Sequence, residues 1–312
     1  MKNIFKKIFI FLFIFTLSAC AKQCGKNPNQ KLSPLEIFPE QHRVVLLLNW
    51  KRFAATPYSE AMFQKASPEL RHFSSQMEIL YISTSLRRPG EEPSSLALVE
   101  GEFDIAKILE WLTQLSRDES KELQNMIWKG KTIYISPKDP DMGMSILNKN
   151  QIIWGTLTAL KQSLEAVETK SGSLAGRKDF ASLWAQHNPS KLIWGAALLK
   201  GQESSPSFPL LQNVNSLILN ADLVAADLNV EVTANSVNEA EAKNLLDFLS
   251  SYQKLVSSQA DSIPQKLLSQ LKLEQKQQNL LATLNISSEQ LKTLASQIQF
   301  VPPESQPNAL KK

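Results

Sequence analysis

The clearest pattern in the chain is a period-two alternation in its last third. Leu217, Leu219, Ala221 and Leu223 share one face of a predicted strand, and Leu228, Val230 and Val232 share one face of the next. Asn229, Glu231 and Thr233 fall between them, so these strands should bury one face only, as in an antiparallel sheet. Ser236-Val237-Asn238-Glu239 reads as a capping box before a helix carrying Leu245, Phe248, Leu249, Tyr252 and Val256. Gln265 to Asn279 is predicted helical and Leu280 to Ile286 a short strand. Ser287-Ser288-Glu289-Gln290 caps a last helix through Leu291, Leu294 and Ile298.

Earlier in the chain, Val44 to Leu48 is a continuous apolar run of strand length. Tyr58 to Phe73 carries Met62, Phe63, Ala66, Leu70 and Phe73 at helical spacing, with Pro68 suited to starting a second helix. Met77 to Leu86 and Leu96 to Phe103 read as strands. Asp104 can cap a helix with a stripe of Ile105, Ile108, Leu109, Leu112 and Leu115, and Thr132 to Ile135 is again a strand. The order strand, helix, strand, strand, helix, strand is the split βαβ order of ferredoxin-like folds. Met144–Leu147 and Ile152–Gly155 then form a predicted hairpin around Asn148-Lys149-Asn150. Helices follow at Leu157–Val167 and Phe180–Trp184, and a strand at Leu192–Leu199. The expected class is α+β, antiparallel sheets covered by helices, with a second, smaller ββα-type module.

The first residues have a different character. Lys2, Lys6 and Lys7 precede an apolar run from Ile8 to Leu17 that ends in Leu17-Ser18-Ala19-Cys20. The run is too short to span a bilayer, which takes ~20 residues, and has the layout of a signal peptide. The segment resembles the lipobox of bacterial lipoproteins. That resemblance implies acylation of Cys20, with palmitate among the expected chains, and removal of residues 1–19. Ala21 after the cysteine implies the outer membrane where the source has one.

Removing that leader changes the charge. The whole chain is +4, but without the three leader lysines 31 basic residues face 30 acidic ones. A basic balance suited to nucleic acid disappears. Cys24 becomes the spare thiol, which leaves no pair for a disulfide and no thiolate metal cluster. The expected organisation is a signal peptide at 1–19, a Pro- and Gly-containing tether at 20–42, an α+β domain at 43–201, a Ser/Pro linker at 202–209, a second α+β module at 210–300 and a disordered tail at 301–312.

Candidate chemistry is sparse. His42, His72 and His187 share no metal-ligand spacing. Gly172 to Lys178 lacks the Lys-Ser/Thr pair of a phosphate loop, and Ser251-Tyr252-Gln253-Lys254 sits in an ordinary amphipathic helix. Glu100 and Glu102 alternate onto one strand face, where paired carboxylates could do acid-base work or hold a cation. A solvated face is the plainer reading. All six tryptophans precede residue 202, and most are expected in the core.

Val99 to Asp104, Trp128 to Tyr134, Leu147 to Asn150 and Trp154-Gly155 resemble landmarks of uncharacterised bacterial envelope proteins of α+β type, a likeness that implies no activity. The expectation is a lipid-anchored envelope protein acting by binding or structural interaction, with no cofactor or metal. Its partners would be the membrane, through the lipid, and an unidentified envelope protein. The alternatives are a carrier of an apolar ligand and an enzyme or cation site using Glu100 and Glu102.

Overall fold

Val44–Asn49 forms β1, paired with β2 (Met77–Thr84) on one side and β8 (Ile193–Leu198) on the other; Val45 and Leu47 of its apolar run are buried and Leu46 is exposed. The computed structural model describes residues 31–59, 68–86, 94–118, 123–136, 139–200, 209–257 and 263–297. The remaining strands are β3 (Ser95–Gly101), β4 (Asn125–Trp128), β5 (Lys131–Ile135), β6 (Met142–Asn148), β7 (Gln151–Thr156), β9 (Val214–Val224), β10 (Asp227–Ser236), β11 (Lys272–Lys276) and β12 (Asn279–Ile286). They make one sheet in the order β11-β12-β10-β9-β8-β1-β2-β3-β7-β6-β5-β4. Every pairing is antiparallel.

The fold is therefore α+β, with a connectivity that departs from the ferredoxin-like order. β1, β2 and β3 are sequential neighbours, and the chain then passes through α4 (Ile105–Asp118) to the far edge at β4 and returns as a β4-β5-β6-β7 meander. The other end of the sheet repeats the device. After β10 the chain runs through α7 (Glu239–Ser257) and α8 (Ile263–Gln270) to the edge strand β11, then turns back as β12 to fill the gap beside β10. Helical spacing reveals a helix in a crossover but not how many strands it skips.

Helices cover the sheet in patches. On one face α1 (Pro34–Ile37), α5 (Leu157–Thr169) and α6 (Lys178–Trp184) enclose a core that includes Phe38, Leu47, Leu98, Ile153, Leu160, Phe180 and Trp194. On the other, α3 (Pro68–Ser75) and α4 pack Phe73, Phe103 and Ile108 against Val99 and Ile152. On that same face α7 brings Leu245 and Leu249 over Ala234 and Leu280. The short α2 (Trp50–Ala54) follows β1, and α9 (Ser288–Gln297) ends the described chain. Pro68 starts α3 as expected. The Ser287 hydroxyl accepts from the Gln290 amide at 3.3 Å while the Ser287 amide donates to the Gln290 side chain at 2.9 Å, the reciprocal box that caps α9.

Several expectations need correction. Residues 31–42 of the expected tether belong to the body: Leu35, Ile37, Phe38 and His42 are buried. Pro34, Pro39 and the polar flanks obscure an apolar triplet that packs under α5. The linker at 202–208 lies outside the described residues, but β8 and β9 on either side of it pair from Ile193↔Ala221 to Leu198↔Ser216, so one sheet crosses the expected boundary. The helix expected over 265–279 stops at Gln270, and residues 272–276 form β11 on the edge of β12. Local propensity there favours helix, and the hairpin ladder to the next strand, β12, overrides it. The cap of α7 is Asn238, whose side chain accepts from the Glu241 amide at 2.9 Å, while Ser236 ends β10.

Candidate functional site

The alternation of β9, β10 and β12 has two outcomes, one per face. Its apolar phase, with Leu217, Ala234 and Leu280, lies beneath α7. Its polar phase forms the floor of an open cleft of about 1300 Å³. The register sets side chains of adjacent strands opposite one another: Asp222 faces Asn229, which faces Asn285. A second row runs Asn220, Glu231, Thr283 and Lys272 across β9, β10, β12 and β11. Neighbouring strands lie about 4.8 Å apart, so each row is a ladder of polar groups at that interval.

The floor keeps hydrogen-bonding capacity in reserve. The Asn285 amide nitrogen donates to the Asn229 side-chain oxygen at 2.9 Å. That leaves the Asn229 amino group as a donor and the Asn285 carbonyl as an acceptor. The charges are largely compensated, because Asp222 pairs with Arg52 at 2.8 Å and Lys191 at 3.6 Å.

One wall is the loop after α6, from Gln186 to Lys191. Asn188 shapes it by accepting from the Ser190 amide at 3.0 Å and its hydroxyl at 2.6 Å, and Asn49 donates to the Pro189 carbonyl at 2.8 Å. Behind the wall is an aromatic brace. Trp184 and His187 stack with ring centres 4.2 Å apart, and Trp194, fully buried, meets both edge-on. His187 Nε2 and Trp194 Nε1 have no hydrogen-bond partner in this brace, and burial lowers the pKa of His187.

The sequence-predicted carboxylates are separated by burial. Glu100 is 2% exposed, accepts from Gln151 Nε2 at 3.1 Å and pairs with Lys31 at 2.8 Å. Glu102 lies beyond the end of β3 and is exposed. Strand alternation fails between them because β3 ends at Gly101, where a Cβ would stand 2.0 Å from the Gln76 carbonyl oxygen. The solvated face expected for Glu100 is thus corrected to a buried structural site. Gln151, also fully buried, accepts from the Leu32 amide and donates to the Leu32 carbonyl, each at 2.8 Å. Together Glu100 and Gln151 staple the start of the described chain to the sheet.

Cys20 and Cys24 lie outside the described residues. His42 is fully buried between the Ser83 and Ser94 hydroxyls, at 2.7 and 3.0 Å. Burial pushes its pKa down to about 4. His72 lies in a smaller cleft between α3 and α4, and His187 in the brace, so the three histidines are dispersed. Among the described residues no three His, Cys, Asp or Glu side chains are placed to hold a metal ion. Gly172 to Lys178 passes through a 3-10 helix at Leu174–Gly176 into the start of α6, with Leu174 donating to the Phe38 carbonyl. Ser251 is exposed and bonds the Asp247 carbonyl of its own helix.

Sequence reasoning found the alternating strands but missed the cleft. The signal was present in the polar phase itself, where Asn220, Asp222, Asn229, Glu231 and Asn285 are amides or carboxylates. Which of these residues become neighbours depends on register, which spacing along the chain does not encode.

No family model and no curated protein matches the sequence. Among solved structures the chain is similar to crystal form I of TP0453, with a TM-score of 0.52 at 11% identity over 85% of this chain and 98% of that one. It is likewise similar to crystal form IV of TP0453, with a TM-score of 0.50 at 12% identity over 85% and 97% of the two chains. At such identities the likeness is one of fold.

Proposed function

We propose that the chain is a lipid-anchored protein of the cell envelope that acts by binding, with its acyl groups on Cys20 and its binding surface in the cleft of β9, β10 and β12. The anchoring half of this reading is supported by Leu17-Ser18-Ala19-Cys20 behind a basic and apolar leader. Ala21 points to the outer membrane in a cell with two membranes. Among the described residues no helix is long and apolar enough to cross a bilayer. A single acyl chain holds a protein only marginally, so two or more are needed for a stable anchor.

The binding half rests on one observation. Side chains from adjacent strands line a concave surface with donors and acceptors to spare. A carrier of apolar ligand would need an apolar lining, and the cleft over these strands is floored by Asn, Asp, Glu, Thr and Lys.

Metabolic labelling with a palmitate analogue tests the anchor. Wild type should label, and Cys20→Ser should not. In the same cells a photoreactive residue at Asn285 should yield an adduct that one at exposed Glu78 does not. Unlabelled wild type would remove the anchor, and identical adduct patterns from both positions would remove the cleft as the binding surface.

A further inference from the structure

We infer that the cleft takes a neutral, hydroxyl-rich chain molecule, an oligosaccharide strand; this rests on reading the cleft as a binding surface. Charge excludes the common alternatives. Lys191, Lys272 and Arg52 stand against Asp222, Glu231 and Glu289, so neither an anion nor a cation finds an excess of the opposite sign. Asp222, which bears two cationic partners, is already neutralised.

The floor chemistry then selects among neutral ligands. A planar amide offers a donor and an acceptor side by side, the complement of adjacent hydroxyls on a sugar ring. The Asn229 amino group and Asn285 carbonyl present such a donor and acceptor from two paired amides on adjacent strands, and in the next row Asn220 and Thr283 flank Glu231. A ladder interval of about 4.8 Å is close to the length of one pyranose unit, so successive sugars can meet successive strands.

A peptide strand would instead seek an unpaired backbone edge, which of the cleft's strands β11 alone presents, at the rim; the floor strands β9, β10 and β12 are paired on both sides. None of the described lining residues is aromatic, which removes the stacking platform that single-stranded nucleic acid uses. Recognition by exposed hydrogen bonds alone gives weak affinity, in the range of about 0.1–1 mM.

The test is titration of the full-length lipidated protein, in nanodiscs, with cellotetraose, chitotetraose and maltotetraose, and with inorganic phosphate as the charged control. At least one tetrasaccharide should bind saturably and more tightly than phosphate. Asn229→Ala and the near-isosteric Thr283→Val should each weaken it roughly three- to tenfold, with circular dichroism unchanged. Absence of saturable sugar binding up to ~10 mM, tighter binding of phosphate, or affinities indifferent to both substitutions would overturn the inference. If sugars fail while the Asn285 adduct persists in cells, the ligand class alone is wrong. If both fail, the cleft is not a binding surface.

Discussion

His42 has both ring nitrogens on serine hydroxyls and no exposed surface, so the neutral imidazole is the form that fits. Its pKa of about 4 in the folded chain lies below the unfolded value of about 6.5. A histidine depressed in this way contributes stability that is complete above pH 6.5 and is lost as pH falls toward 4, because the unfolded chain then binds the proton first. The contribution is roughly 3 kcal/mol. Urea unfolding of wild type and His42→Gln should show a stability gap that shrinks by roughly 2–3 kcal/mol between pH 7 and pH 4.5. A constant gap would mean that His42 titrates alike in both states.

Glu100 and Gln151 hold the first described residues against the sheet. Gln151→Ala strips two partners from the Leu32 backbone and should cost about 2–3 kcal/mol in chemical denaturation. Lys31→Ala removes the half-exposed cation of a pair whose Glu100 carboxylate is buried, and should cost about 1–3 kcal/mol. A cost for Lys31→Ala above that of Gln151→Ala would show that the ion pair, more than the amide, holds this segment. A carboxylate's spacing within a strand could be read from the sequence, but its burial could not, since the covering residues lie in a segment that reads as polar.

Elements are set by close approach as much as by propensity. The strings Ile152-Ile153-Trp154-Gly155 and Leu192-Ile193-Trp194-Gly195 are near copies. Yet Trp194 is fully buried beneath α6, and Trp154 is 53% exposed on the opposite face. The strings alone carry no mark of this difference, because the face a residue occupies depends on its strand's pairing. Five tryptophans are buried or half-buried as expected, and Trp154 is the exception. Gly155 lies opposite Leu96 on β3, where a Cβ would sit 2.2 Å from the Ser95 carbonyl oxygen. Gly155→Ala should force β3 and β7 apart and cost about 1–3 kcal/mol, as overpacking does. Thermal denaturation checks this, and an unchanged midpoint would show that the strands relax freely. β1, β5 to β10, α4 and α5 were legible because each carries a full period of apolar residues. β4 and β11 were not, being short edge strands whose pairing partners define them.

For the molecule as a whole, the pairing of β8 with β9 makes the two halves parts of one sheet. Protease cleavage within 202–208 should therefore leave both fragments associated in gel filtration and unfolding in a single transition. Separation into a Trp-containing and a Trp-free piece under native conditions would contradict a shared sheet. The continuous sheet went unread because Ser and Pro at 204–209 mark a break in chain regularity, and a break in the chain is not a break in the core.

The Leu32 staple also sets a pivot. Residues 20–30 can reach at most about 40 Å even when fully extended, whatever path they take. They meet the body at Gln151 on β7, five strand intervals from β9 and seven from β12. At about 4.8 Å per interval the cleft sits about 25–35 Å to one side of the attachment point. A body leashed off-centre along its sheet swings as a lever, with the cleft on the longer arm. With Cys20 acylated, the membrane fixes the short arm and the cleft sweeps the adjoining space, so its working radius is set by sheet width as well as by linker length.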